Sequence, residues 1–351
     1  MESEEGLLMS ERVSFENDYN TGCHPRILAA LSKTNDERTT GYGLDRYSDE
    51  ARGLIKDACR APTADVHFLV GGTQVNLIVA AGALKPWQGV ISAETGHVNV
   101  HEAGAIEATG HKVLVVESQD GLLSADAIDR YCQSYRDDPT AEHMVQPGMI
   151  YLSQTTELGT VYRLKELRAI RQVADRWGLT LFVDGARLAS ALAIEETEID
   201  LPALAELADV FSIGGTKCGA LFGEAVVIIK DSLKSDFRSL VKQRGGLLAK
   251  GRLLGVQFRE LFRDGLYMEI GRHENDMAAA LAAQFSVRDF EFYAPPTSNQ
   301  LFVLMDESEE KYFSERAVFE RIGKQKDGRR ICRFVTSFST EKTEIDALFT
   351  Q

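Results

Sequence analysis

The 351-residue chain is 44% hydrophobic and 26% charged, the profile of a globular protein with room for one large domain and a smaller one. A formal net charge of -14 argues against nucleic acid or an anionic membrane as partner, and no run of about 18 apolar residues is present to span a bilayer. Five scattered cysteines (Cys23, Cys59, Cys132, Cys218, Cys332) show no CxxC or Cys/His ligand spacing, which argues for a reducing compartment and against a metal site.

The opening stretch, MESEEGLLMSERVS, is acidic and has no basic region ahead of an apolar one. No signal peptide is expected from it, and the expected compartment is the cytoplasm. From residue 66 to 230 strand-like and helix-like stretches alternate. Val66–Val70 leads through Gly71-Gly72-Thr73 into an apolar helical stretch, Val75–Leu84. Gly89–Ser92 leads through a polar loop into a helical His97–Thr109, and Lys112–Glu117 reads as the next strand. Ser124 suits the N-cap of a helix over Ala125–Tyr135, and Met149–Leu152 is a short strand. Leu164–Trp177 is the clearest helix, with Leu164, Leu167, Ile170, Val173, Ala174 and Trp177 spaced by threes and fours. Gly178 suits its C-terminal cap. The apolar runs ahead of Asp184 and Gly214 read as buried strands, and Ala225–Ile229 as another. Such alternation predicts a mostly parallel central sheet covered by helices on both faces. Ser232–Phe285 reads as helical. Beyond Ala294-Pro295-Pro296, strands over Gln300–Met305 and Cys332–Thr336 flank a helix. The expected fold class is α/β: an N-terminal segment (1–40) associated with the small domain, a large domain (41–260) and a small C-terminal α+β domain (261–351).

In open parallel sheets ligands collect at the carboxyl ends of the strands. Asp184 ends one strand there, and Lys217 follows the next, after Ser212, Gly214, Gly215 and Thr216. An amine and an acid so placed suit pyridoxal 5'-phosphate, whose aldehyde condenses with Lys and whose ring nitrogen is kept protonated by Asp. Asp184 read alone also suits a cap for the helix that follows. Arg187, one turn on, suits the ring oxygen, the substrate, or a structural ion pair. Gly71-Gly72-Thr73-Gln74 offers backbone amides and a hydroxyl to a phosphate, although such turns are common between any strand and helix. His97 stands in the next strand-to-helix loop, where an imidazole can stack on a ring and shuttle protons. His101 and His111 read as structural.

YGLDRY (Tyr42–Tyr47), FLVGGTQVN (Phe68–Asn76), HVNVHEAGA (His97–Ala105), VDGAR (Val183–Arg187) and SIGGTK (Ser212–Lys217) follow one another in a recognisable order. Together they resemble the fold-type I pyridoxal-phosphate enzymes, and among them the threonine aldolase and β-eliminating lyase superfamily, over residues 13–336. The resemblance implies that Lys217 carries the cofactor covalently and that Asp184 pairs with its ring nitrogen. Gly72 and Thr73 hold the phosphate, His97 stacks on the ring, and Arg187 meets the phenolic oxygen. Arg333, in ICRFVTSF, clamps the substrate carboxylate, a bidentate task that suits a guanidinium. Asn17 stands where the family often has a Ser assisting that clamp. It also implies a homodimer or homotetramer, with the N-terminal segment (1–40) at the dimer interface, in which Tyr42 and Lys250 reach the partner's cofactor. One departure is Glu157 in SQTTELGT, at the place where many low-specificity L-threonine aldolases carry His; this loop is nearer the phenylserine aldolase branch. Glu157 is either the base on the β-hydroxyl or an anchor for the loop backbone. The implied activity is cleavage of a β-hydroxy-α-amino acid, a small-molecule substrate, to glycine and an aldehyde. β-Elimination is the alternative.

Overall fold

The short apolar runs assemble into a central sheet because each is too uniformly hydrophobic to leave either face in water. The structure, a computed structural model, describes residues 12–350. Most of the opening acidic stretch, and with it the first eleven residues of the 1–40 segment, lies outside the described residues. The strands are β1 (Val13–Ser14), β2 (Asp65–Leu69), β3 (Gln88–Ala93), β4 (Val113–Val116), β5 (Gln146–Ser153), β6 (Thr180–Asp184), β7 (Val210–Gly214) and β8 (Glu224–Ile228). β2 to β8 form one seven-stranded sheet in the order β2-β8-β7-β6-β5-β3-β4. β3 to β7 run parallel, and β8 runs antiparallel to both its neighbours. Every residue of β6, β7 and β8 is buried. Alternate side chains go to opposite faces: Ile150, Leu181, Val183 and Phe211 join one core, and Met149, Tyr151, Phe182 and Val210 the other.

Beyond the sheet come β9 (Gln300–Met305), β10 (Ala317–Val318), β11 (Glu320–Lys324) and β12 (Arg330–Val335). β11, β12 and β9 form a separate antiparallel sheet over a core rich in phenylalanine, among them Phe285, Phe313 and Phe334. β1 pairs in parallel with β10, so the start of the described chain packs with this smaller unit, whereas the helix Pro25–Lys33 buries Ile27 in the core of the larger one. The helix Leu266–Ser286 joins the two units. Gly271 allows its backbone to touch the helix Leu188–Leu192: a Cβ there would lie 2.0 Å from the Ala189 carbonyl oxygen.

Two helical expectations are corrected. The stretch read as His97–Thr109 is helical only over His97–Val100, and a single 3-10 turn follows at Glu107–Thr109. Ala103 (φ 50°) and Gly104 (φ 72°) take left-handed conformations, which end a right-handed helix. Likewise Ser232–Phe285 divides into Phe237–Gln243, Arg252–Phe262 and Leu266–Ser286. The breaks coincide with left-handed Gly245, Asp264 and Gly265. Leu164–Trp177 has the expected bounds, closed by Gly178 at φ 65°. Among the described residues no helix is long and apolar enough to cross a membrane.

Candidate active site

The carboxyl ends of β5, β6 and β7, the turns after β2 and β3 and the start of β8 converge on one edge of the sheet, and their side chains surround a cleft. Asp184, the last residue of β6, is buried. Its Oδ2 accepts from the Tyr151 hydroxyl (2.7 Å) and the Asn76 amide (3.0 Å). Its Oδ1 accepts from the Ala186 N–H (3.0 Å) and the Ser212 hydroxyl (3.2 Å). Four donors keep one carboxylate orientation without a cation among them. Asn76 also donates to Glu102 Oε1 (2.6 Å), and that oxygen lies 2.7 Å from His97 Nδ1. A carboxylate at Nδ1 keeps a proton on that nitrogen and fixes the orientation of the ring. His97 and Asp184 are thus oriented through one shared amide.

Lys217 emerges from a turn that only small residues permit. A Cβ on Gly214 would lie 2.2 Å from the Ala186 carbonyl oxygen, and one on Gly215 2.5 Å from that of Gly223. Burial, followed by the nearby Arg187 guanidinium, holds the Lys217 amine below its ordinary pKa, against the opposing pull of Asp18, Asp184 and Glu224. Arg187 forms a two-point ion pair with Asp18, at 2.6 and 3.1 Å, and Asn299 donates to the same carboxylate at 3.0 Å. Burial alone would raise the Asp18 carboxyl; Arg187 and Lys217 bring it below its usual range. The ion-pair reading of Arg187 therefore describes its partner, while its guanidinium still lines the cleft.

Glu157, in the loop after β5, accepts at Oε1 from the Ser153 hydroxyl (2.6 Å) and the His97 backbone N–H (2.8 Å). Burial pushes its carboxyl up, although these hydrogen bonds oppose the shift. Arg333, on β12, pairs with Glu320, and its buried Nε lacks a hydrogen-bond partner among the described residues.

The cleft has two chambers. The inner, of about 340 Å³, is lined by Gly72, Thr73, Asn76, Asp184, Thr216 and Glu224. The outer, of about 450 Å³, is lined by Val100, His101, Leu158, Glu320, Ile322 and Arg333. Tyr19, His97, Glu157, Arg187 and Lys217 line both. Lys217, His97, Glu157, Gly72, Thr73, Asp184, Arg187 and Arg333 are thereby brought together.

Three expected site residues are not. Asn17 turns its side-chain oxygen to the Tyr19 N–H (3.0 Å) and lines neither chamber; its neighbour Asp18 enters the site through Arg187. The ring of Tyr42 lies 4.8 Å from Lys242 Nζ, at the surface, and Lys250 is exposed. Neither lines the cleft of its own chain. The sequence reading missed Asp18, Asn76, Glu102, Tyr151 and Glu224. Asp18 had a signal in the Asn17-Asp18 pair, whereas Tyr151 sits within an apolar strand and looks like an ordinary core aromatic.

Residues 21–308 match a family described as "Beta-eliminating lyase". A "Low specificity L-threonine aldolase" from a Pseudomonas species is 32% identical over 301 residues, 84% of each chain. The protein of that description from Pseudomonas aeruginosa is 31% identical over 303 residues, again 84% of each. Among solved structures, a threonine aldolase from Leishmania major superposes with a TM-score of 0.93 at 43% identity, covering 96% of this chain and 97% of its own. An aspartate aminotransferase from Thermus thermophilus superposes with a TM-score of 0.70 at 13% identity, covering 98% of this chain and 93% of its own, which shows a shared fold.

Proposed function

The chain belongs to the β-eliminating lyase family, and from that premise we propose that it is a pyridoxal-phosphate-dependent aldolase cleaving β-hydroxy-α-amino acids to glycine and an aldehyde. The observation that carries this reading is the division of labour across Lys217. Asp184 and the Gly72-Thr73 turn lie in the inner chamber; Arg333 faces the outer one; Glu157 borders both.

The residues present fit the cofactor. Lys217 supplies an amine of lowered pKa, and Asp184 a buried carboxylate for a ring nitrogen. Above the first turn of the helix Gly72–Ala83 there is open room: a Cβ on Gly71 or Gly72 would meet nothing within 4 Å. Gly72 and Thr73 would hold the phosphate, and Lys217 would be the point of covalent attachment. When bound, pyridoxal phosphate supplies an aldehyde that amines condense with and a ring that withdraws electrons from the breaking bond.

The chain's own residues do the rest. Arg333 binds the substrate carboxylate, and so sets the Cα–Cβ bond in the orientation from which it breaks. Its present partner, Glu320, is about half exposed and is the group the substrate carboxylate displaces. His97, braced by Glu102, forms one wall, and Arg187, braced by Asp18, would supply a positive charge to the ring oxygen. Glu157 takes the proton of the β-hydroxyl as Cβ leaves in the aldehyde, and Cα is then protonated to glycine. The relatives described as low-specificity L-threonine aldolases support L-threonine as a substrate, and the proposal extends the class to L-allo-threonine and L-phenylserine. Homo-oligomerisation, with Tyr42 and Lys250 reaching a partner's cleft, fits their distance from their own. The five free cysteines favour a reducing compartment such as the cytoplasm.

O-Methyl-L-threonine tests the bond that breaks. Its β-oxygen has no proton for Glu157, so the aldolase reading expects it to be inert while L-threonine yields glycine. Formation of a 2-oxo acid and ammonia from the ether would reveal β-elimination instead.

A further inference from the structure

Glu224 is a buried acid that the chemistry above leaves without a task. It begins β8, in register with Leu69 of β2 on one side and Gly214 of β7 on the other. Those two strands run on into Gly71-Gly72-Thr73 and into Gly215-Thr216-Lys217 respectively. The carboxyl therefore stands between the two turns that border the inner chamber, and it lines that chamber with them. It is 4% exposed, and its hydrogen-bond partner is the Gly215 N–H, 3.0 Å from Oε2. That amide brings no full positive charge, and an ionised carboxylate buried without one is costly.

The titratable groups around it are Lys217 after β7 and Asp184 at the end of β6, with Cys218 and Tyr267 behind the turn. The helix Arg252–Phe262 brings uncharged Leu254 and Gln257 against the Gly223 side, and the helix Gly72–Ala83 brings uncharged Thr73 and Asn76 to the chamber. Burial, with repulsion from Asp184, pushes the Glu224 carboxyl up to about 7, although Thr216, Gly215 and Lys217 pull it down.

We propose that Glu224 holds a proton when the inner chamber is loaded and donates it as a hydrogen bond to the cofactor phosphate, so that phosphate binding is linked to one proton. This rests on the reading that the inner chamber takes pyridoxal phosphate. A carboxylate beside a phosphate dianion repels it, whereas a neutral carboxyl supplies an O–H donor. Above its titration Glu224 must take up a proton as the phosphate enters, so affinity falls as pH rises.

The test uses the full-length chain freed of cofactor and titrated with pyridoxamine 5'-phosphate, which has no aldehyde and leaves Lys217 uncondensed. From about pH 7 to about pH 9 the wild-type dissociation constant should rise more steeply for pyridoxamine 5'-phosphate than for pyridoxamine, by up to about tenfold per pH unit, the limit for one linked proton. Both ligands share whatever dependence the ring nitrogen brings as it binds protonated against Asp184. Glu224→Gln, neutral at every pH, should remove the extra steepness with pyridoxamine 5'-phosphate. With pyridoxamine, which lacks the phosphate, the two proteins should give the same profile. A Glu224→Gln profile that tracks the wild type with pyridoxamine 5'-phosphate, or an equal difference between the two proteins with pyridoxamine, overturns the proposal. Should the variant fail to fold, the wild type alone decides, because a profile no steeper with pyridoxamine 5'-phosphate than with pyridoxamine contradicts the linkage. Failure of the wild type to bind either ligand at any pH would instead overturn the cofactor reading, and the proposal with it.

Discussion

At the scale of single residues, chemistry was legible where it is written into one short segment. Lys217 among small residues, Asp184 at a strand end and the Gly72-Thr73 turn each announce themselves within a few positions, and all three line one chamber. What brings Asn76 to Asp184, 108 positions away, or Asp18 to Arg187, 169 away, is tertiary packing that no local pattern encodes. Asn17, to which the resemblance points, and Asp18 are adjacent, but the first side chain satisfies a local turn while the second reaches the guanidinium. Glu157 remained open between two roles, and its geometry sharpens both: one oxygen holds the His97 backbone, and the side chain borders both chambers. As a base Glu157 must be ionised, and burial has raised its pKa. Wild-type kcat should therefore rise with pH through a titration above the ordinary Glu range. Glu157→Gln should lose about 10²- to 10⁴-fold in kcat and lose that acidic limb, with KM little changed. A kinetic pH profile of both proteins checks this, and unchanged turnover in the variant would leave Glu157 as the anchor of the loop alone.

At the scale of elements, regular periodicity was reliable and interruptions were not. Leu164–Trp177 keeps its bounds because its apolar stripe, its cap and its core contacts agree. The helical reading across Ser232–Phe285 ran through breaks set by left-handed residues, one of them Asp264, whose short polar side chain tolerates that conformation without any motif that marks it in the sequence. The helix Leu266–Ser286 carries its own test. Glu274 on it is 1% exposed, and its Oε1 has no partner among the described residues. Burial, with added repulsion from Asp18, pushes its carboxyl well above the ordinary range. The native state thus keeps a proton that the unfolded chain releases above about pH 4.5, so stability falls as pH rises through that value, by up to about 1.4 kcal/mol per pH unit. Glu274→Gln should flatten that slope. Denaturant titrations of both proteins at about pH 5 and about pH 7 measure it, and parallel slopes would contradict the account.

At the scale of the whole molecule, parallel strands direct their carboxyl ends to one edge, so residues from six segments far apart in sequence meet in one cleft. The alternation of elements predicted that sheet, and the sheet in turn accounts for the convergence of Lys217, Asp184 and Glu157. The smaller unit completes the cleft, because Arg333 of β12 and Glu320 of β11 wall the outer chamber. On the proposed function, a substrate lies between the two units, its carboxylate toward Arg333 on one and its amine toward Lys217 on the other. The most direct test of that arrangement is product stoichiometry. The purified protein with pyridoxal phosphate is incubated with L-threonine, L-allo-threonine and L-phenylserine, and glycine and aldehyde are counted together. The account predicts one glycine for each acetaldehyde from the first two or each benzaldehyde from the third, with at least one of the three turned over. A 2-oxo acid and ammonia without glycine would contradict it.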